Sequence, residues 1–255
     1  MTTVLSLKGI AKTFLDKEAS CPTLGGISLD VSACEIICIM GPSGCGKSTL
    51  LRIIGGLEHA DAGTMETTPT GEGGKGTAAM VFQDPALFPW LSVYENIVYG
   101  LRLAAQREPE GEIRKRASSL LTLIHLDKFM HAYPYQLSGG MMQRVSVARA
   151  LAVMPPVILM DEPFSALDPF TRRELEDEVL RIRTELKTTI ILVTHNPEEA
   201  VYLADRIVIL SQIPAVISEI LAVDLPHKRD DADPAFIRIR KQVAEMVQGR
   251  QKHPE

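Results

Sequence analysis

The sequence predicts an α/β protein with a largely parallel core sheet, an N-terminal antiparallel β-subdomain and a helical subdomain inserted in the core. Three observations carry this expectation. Apolar, β-branched runs without a polar face recur along the chain, as parallel strands covered on both sides require. A charged amphipathic helix separates two of those runs. The first thirty residues alternate with period two instead, the pattern of half-buried antiparallel strands.

In order along the chain, Leu5-Ser6-Leu7-Lys8-Gly9-Ile10 and Gly26-Ile27-Ser28-Leu29-Asp30-Val31 are the alternating strands, and a turn-rich connection is expected from Asp16 to Gly25. Ile36 to Met40, after Glu35, is a continuous apolar run. Glycines follow at 41, 44 and 46, and Lys47 to Ile54 reads as a helix, so strand, glycine loop and helix form one βα unit. Further buried runs are Val157 to Met160, closed by Asp161-Glu162-Pro163, then Thr189 to Val193, closed by Thr194-His195-Asn196, and Arg206 to Leu210. The helix over Phe170 to Leu186 places Leu175, Val179 and Ile182 on one face. Strand signals are weak over about 84–150, where helices are predicted for Val93–Ala104, Glu112–Leu126 and Gly140–Val153. Thr67 to Lys75 is polar and glycine-rich, the composition of a flexible surface loop. After residue 225, Pro226-His227-Lys228-Arg229-Asp230-Asp231 reads as a linker-like charge run. It precedes a short amphipathic helix, Pro234 to Gln248, with Phe236, Ile239, Val243 and Met246 on one face.

Composition narrows the function classes. The 255 residues are 45% hydrophobic, which excludes intrinsic disorder. Lys and Arg number 27 against 32 Asp and Glu, a net charge of −5, so charge steering toward nucleic acid is disfavoured. The longest stretch free of Asp, Glu, Lys and Arg is Phe129 to Gln143, too short for the ~20 apolar residues of a membrane-spanning helix and broken by Pro134 and Gly139-Gly140. The N-terminus has no secretory pattern. Cysteines 21, 34, 38 and 45 show no zinc spacing and read as free thiols in a reducing compartment.

Ligands of such sheets collect beyond the carboxyl ends of the strands, and Gly41, Asp161 and His195 all fall there. Gly41-Pro42-Ser43-Gly44-Cys45-Gly46-Lys47-Ser48 matches GxxxxGK[ST] and sits in strand–loop–helix context, with Thr49 continuing the helix. Successive backbone N–H groups of such a loop form an anion nest, to which the helix start adds unpaired donors. The helix dipole contributes only about 0.3–1 kcal/mol per exposed charge. Lys47 is therefore expected to reach the β- and γ-phosphates and Ser48 to hold Mg²⁺. Of the acidic pair, Asp161 is suited to orient a water on Mg²⁺ and Glu162 to polarise the attacking water. His195 is placed to contact the γ-phosphate; a strand-end histidine alone is more often a packing or capping residue, but beside the glycine loop and the acidic pair the functional role is favoured. Cys45 is a small loop filler or a thiol sensitised by the helix start.

Leu137-Ser138-Gly139-Gly140-Met141-Met142-Gln143-Arg144 lies between the phosphate loop and the acidic pair, and it resembles the LSGGQ-type signature of the nucleotide-binding subunits of ABC transporters. Val147-Ala148-Arg149-Ala150-Leu151 fits the usual continuation, Phe82-Gln83-Asp84 resembles the family's Q-loop, Ser165-Ala166-Leu167-Asp168 its D-loop, and His195 its switch histidine. The likeness covers residues 1 to about 225. It implies a P-loop NTPase of the ABC ATPase type that binds ATP and Mg²⁺, with residues 1–225 as the nucleotide-binding domain, a helical subdomain at about 84–150, and 226–255 as linker and terminal helix. Two cassettes would sandwich two ATP molecules. Lys47, Ser48, Gln83, Asp161, Glu162 and His195 would serve each composite site from one side, Ser138, Gly139 and Gly140 from the other. Gln83 would sense Mg²⁺ and γ-phosphate, and Asp168 would run along the seam. Phe14 is the best match to the family's adenine-stacking aromatic, and a core role suits it equally.

The resemblance further implies transmembrane permease subunits docking near Gln83–Leu91, an indirectly associated solute-binding protein, and a peripheral place on the cytoplasmic face of the inner membrane. Within Pro85-Ala86-Leu87-Phe88-Pro89-Trp90-Leu91, Phe88 and Trp90 either pack the helical subdomain onto the sheet or line the docking groove. Phe82 to Asn96 resembles the importer branch for nitrate, sulfonate, taurine and related solutes, whereas Ala215-Val216 and His227-Lys228-Arg229 depart from that branch's usual turn and terminal pattern. A repair or chromosome-structuring ATPase would insert a long coiled coil between Q-loop and signature. Here Gln83 and Ser138 are 55 positions apart, and one P-loop disfavours the two-cassette proteins of translation.

Overall fold

The structure, a computed structural model, describes residues 2–16, 19–67, 78–103 and 109–249. β1 (Thr3–Asp16) and β2 (Ala19–Ser32) pair antiparallel, with Asp16 opposite Ala19 as the last described partners. The turn-rich connection expected from Asp16 to Gly25 is therefore mostly strand. β2 is an outer strand, where Pro22 breaks no central ladder. Gly26, at φ 106°, absorbs a register shift opposite Ile10 and Ala11. β3 (Ile36–Met40) leads through residues 41–46 into α1 (Lys47–Ile54), as its sequence requires, and β4 (Ala62–Thr67) returns to the free edge of β1. Of the loop expected over Thr67 to Lys75, Thr67 ends β4 and the rest lies outside the described residues.

β5 (Ala79–Val81) opens the second half of the main sheet. α2 (Val93–Leu103), α3 (Glu110–Leu123) and α4 (Gly139–Ala152) then occupy the stretch predicted to be helical, with Ala104 outside the described residues. β6 (Val157–Asp161), α5 (Pro169–Leu186), β7 (Thr189–Val193), α6 (Pro197–Leu203) and β8 (Arg206–Leu210) follow as alternating strand and helix. β9 (Ile217–Ala222) adds an antiparallel edge, and the sheet order is β5-β6-β7-β3-β8-β9. β7 thus separates β3 from β6, which brings the ends of those three strands side by side.

Period-two geometry makes β3 divide the core. Ile36, Cys38 and Met40 pack with the helical side, while Ile37 and Ile39 pack with α1 and the antiparallel sheet. α7 (Pro234–Gly249) buries Phe236 and Val243 and packs on α6. Within the preceding charge run Arg229 turns inward. Its guanidinium donates to the carbonyls of Val201, Tyr202 and Ala204 at the end of α6 and to those of Val223 and Leu225. Among the described residues no helix is long and apolar enough to cross a membrane, and all four cysteines are free thiols.

Candidate active site

The glycine loop joins β3 to α1. Gly46 caps α1 at φ 100°, and a Cβ there would stand 2.8 Å from Thr23 Cγ2, so both backbone and space demand glycine. Pro42 and Cys45 form the buried back of the loop, and burial pushes the Cys45 thiol up, away from the sensitised state. The buried Lys47 curls over the loop, its Nζ donating to the Gly41 carbonyl at 3.0 Å and the Pro42 carbonyl at 2.8 Å.

In front of the loop lies a cavity of about 380 Å³, lined by Phe14, Thr23, Ser43, Gly44, Gly46, Lys47, Ser48, Thr49 and Glu162. It brings one apolar ring together with the phosphate-binding motif. Phe14 is 41% exposed rather than buried, so its ring is open to a planar ligand. Lys12 holds the ring region, with its Nζ 5.3 Å from the ring centroid and paired with Glu58 and Asp61. Thr23 is a lining residue that sequence patterning does not single out, because the strand carrying it is masked by Pro22 and two glycines.

Ser48 Oγ donates to Asp161 Oδ1 at 3.0 Å, which joins the first turn of α1 to the end of β6. Burial pushes the Asp161 carboxyl up, opposed by that hydrogen bond, so its ionised form is one that a cation would stabilise. Two hard oxygen donors suit Mg²⁺, which takes few protein ligands and completes its octahedron with phosphate oxygens and water. No cluster of three or more His, Cys, Asp and Glu among the described residues offers an all-protein alternative. Glu162 sits at φ 47°, an uncommon conformation for a non-glycine residue. Its N–H donates to the Val193 carbonyl at 3.0 Å, and Ser165 Oγ donates to its carbonyl at 2.9 Å. So held, its carboxylate meets His195 Nδ1 at 3.2 Å.

The remaining predicted residues do not line this cavity. Gln83 is exposed just beyond β5, beside a Phe82 carbonyl that accepts from Gln143 Nε2 at 3.2 Å. Ser138 caps α4, its Oγ accepting from the Met141 N–H at 3.3 Å. Ser138 and Gly139 are exposed, and Gly140 is buried against Thr171. Asp168 caps α5 through the N–H groups of Phe170 and Thr171, both at 3.1 Å. The Thr171 hydroxyl and those N–H groups hold its carboxyl below the ordinary range.

Residues 85–91 form a braced platform at the edge of the helical region. Asn96, fully buried, accepts from the Phe88 N–H at 2.9 Å and donates to the carbonyls of Phe88, Leu91 and Ser92. Arg149 donates to the carbonyls of Pro85 and Ala86 and lies over the Phe88 ring. Phe88 packs against Tyr99, whereas Trp90 stands 70% exposed. Of the two uses open to these aromatics, Phe88 packs inward and Trp90 faces solvent.

A sequence model of the family described as ABC transporter matches residues 24–165. An uncharacterised ABC transporter ATP-binding protein of Methanocaldococcus jannaschii is 42% identical over 250 residues, spanning 97% of this chain and 92% of that protein. The aliphatic sulfonates import ATP-binding protein of Bacillus licheniformis is 42% identical over 240 residues, spanning 94% and 92%. Among solved structures, an ATP-binding cassette in a dimeric post-hydrolysis state with ADP and Pi superimposes with a TM-score of 0.73 at 31% identity, over 87% of this chain and 100% of that one.

Proposed function

The chain belongs to the ABC transporter family and carries its ATP-hydrolysing domain, and from that premise we propose that it is the cassette powering a membrane importer for small organic anions of the sulfonate type. The observation that carries the hydrolytic reading is the Glu162 carboxylate, fixed at 3.2 Å from His195 on the wall of the phosphate-loop cavity. The loop N–H groups and Lys47 bind the β- and γ-phosphates, for which Lys47 exchanges its two loop carbonyls for phosphate oxygens. Phe14 stacks on the base. Ser48 and Asp161 hold Mg²⁺, with Gln83 approaching the same site; bound there, the cation would neutralise charge on the β and γ oxygens. Glu162 orients the attacking water and accepts its proton, and His195 steadies that carboxylate and the γ-phosphate.

Ser138, Gly139 and Gly140 act on the ATP of a second cassette. The cap geometry of α4 and its exposed start support this reading, since a helix N-terminus favours anions. Asp168, exposed at the start of α5, lies along the same seam. Closure over ATP excludes water and aligns the reacting groups. The platform at 85–91, displaying Trp90 on a braced backbone, receives the permease subunits, because an exposed aromatic on a rigid support suits an interface anchor. The chain then sits peripherally on the cytoplasmic face, with the segment after residue 225 packed onto the nucleotide-binding domain through Arg229 and α7. The sulfonate class rests on the relatives' names and on the likeness of Phe82 to Asn96, since the cassette itself never meets the solute.

The test is Glu162→Gln in the assembled transporter. ATP binding is expected to persist while hydrolysis nearly stops, and normal steady-state turnover would refute the role of Glu162. Stimulation of wild-type ATPase by an aliphatic sulfonate with its binding protein tests the solute class; stimulation by an unrelated solute alone would overturn it.

A further inference from the structure

Behind the candidate active site lies an ion pair, buried at its Glu199 end, that none of the roles above uses. Glu199, in the first turn of α6, is 5% exposed. It accepts the Thr194 hydroxyl at 2.5 Å and the Asn196 Nδ2 amide at 3.2 Å, so it holds the residues on both sides of His195. Asn196 N–H donates in turn to Thr194 Oγ1 at 3.0 Å, which closes a small ring of bonds around the histidine's backbone. A further neighbour of the Oε1 that accepts from Asn196 comes from α5: Arg172 Nε stands 3.5 Å from it. That nitrogen is sealed from solvent and makes no hydrogen bond with the described residues. At its far end the same guanidinium donates to the Leu167 carbonyl at 3.0 Å, directly before Asp168.

One arginine therefore spans from the turn carrying Asp168 to the carboxylate that fixes both neighbours of His195. A guanidinium N–H 3.5 Å from a buried carboxylate is an ion pair short of a hydrogen bond. Leaving it so is unfavourable, and closing it needs a shift of well under an ångström. Catalytic hydrogen bonds are often long in unliganded enzymes and tighten when the reacting complex assembles, and a supporting contact that moves with them can tighten in the same step.

We infer that Arg172 and Glu199 are positioning residues that link the Asp168 turn to His195, their contact closing to a hydrogen bond when a second cassette presses on Asp168. This rests on the dimer reading above. By this route, engagement of the partner at Asp168 sets the His195 backbone and its grip on Glu162. Hydrolysis is thereby tied to closure rather than to ATP binding alone.

The experiment is a double-mutant cycle on the full chain with Arg172→Gln, Glu199→Gln and the pair together, reading kcat and ATP affinity separately. Each single variant is expected to lower kcat about tenfold or more, the scale of one lost charge-assisted hydrogen bond, with ATP affinity within about twofold of wild type. The double variant should be no slower than the worse single. Losses that multiply in the double, losses that fall on ATP affinity instead of kcat, or kcat within about twofold of wild type in both singles would overturn the inference. A second measurement avoids any folding defect: in the Glu162→Gln chain closed on ATP and magnesium, Arg172 Nε should lie within hydrogen-bond distance of Glu199, and a separation still at or beyond 3.5 Å overturns the link. Wild-type turnover separates the two claims. Its absence counts against the hydrolytic reading, and its presence alongside unaffected variants counts against the pair.

Discussion

Gly140→Ala is the substitution whose consequence is drawn most directly from the geometry. A Cβ on Gly140 would stand 2.3 Å from Thr171 Cγ2, inside ordinary van der Waals contact by roughly 1 Å. Thr171 has little freedom to turn away, because its hydroxyl and N–H both hold Asp168. The added methyl must therefore push the start of α4 or loosen the cap of α5. Overpacking of this kind costs about 1–3 kcal/mol. At about 2–4 °C per kcal/mol for a chain of this size, the thermal midpoint should fall by several degrees. Thr171→Ser removes Cγ2 and keeps the hydroxyl, so Gly140→Ala with Thr171→Ser should recover most of the loss. ATPase activity is expected to stay low in the double variant, since in the proposed dimer the added methyl would still crowd the partner's phosphate at this helix start. Unfolding of the double variant at the same temperature as Gly140→Ala, or no destabilisation in the single, would refute the packing argument.

Lys47→Ala should weaken ATP binding at least about tenfold, read by calorimetry, and unchanged affinity would count against the phosphate-loop assignment. Asn96→Ala strips the bonds that brace residues 85–91 and should destabilise the chain by about 2–3 kcal/mol in a denaturant titration; a change below ~0.5 kcal/mol would mean that the platform is held otherwise. Glu176, almost wholly buried between Arg173 and Glu199, has its carboxyl pushed up to about 7 by burial. Its folded form then holds a proton that the unfolded form has lost, so its contribution to stability is complete below pH 4.5 and disappears as pH rises through about 7. Glu176→Gln should flatten the fall in thermal midpoint across that window, and an unaltered pH profile would contradict the burial argument.

The parts of the fold written most plainly in the sequence are those fixed by strong local physics. Ile36 to Met40 admits only a strand covered on both faces, and the glycines with Lys47 and Ser48 can follow it only as a loop entering a helix. Short elements defined by their neighbours were harder to see. β5 has three residues and exists because β6 pairs with it, and β4 and β9 are edge strands with mixed polarity. α6 is too short for helical periodicity, although Asn196-Pro197-Glu198-Glu199 carries a cap, a first-turn proline and acidic residues that announce it. In the hairpin, Pro22 and Gly25 look like a turn because sequence does not show that β2 is an outer strand. For the site, the motifs name the loop, the acidic pair and His195, and the fold places them around one cavity or bonds them to its walls. The contacts of Arg172 with Glu199 and of Arg229 with five carbonyls join residues far apart in sequence, and no local pattern encodes them.

In the proposed dimer, the site of ATP bound to the loop at 41–46 of one copy is completed by the start of α4 from another. The most direct measurement of this is the structure of Glu162→Gln with ATP and magnesium. Ser138 Oγ of one copy is expected within hydrogen-bond reach of the γ-phosphate held by Lys47 of the other. A γ-phosphate bound by Lys47 with every Ser138 remote from it, in the free and the membrane-assembled protein alike, would contradict it.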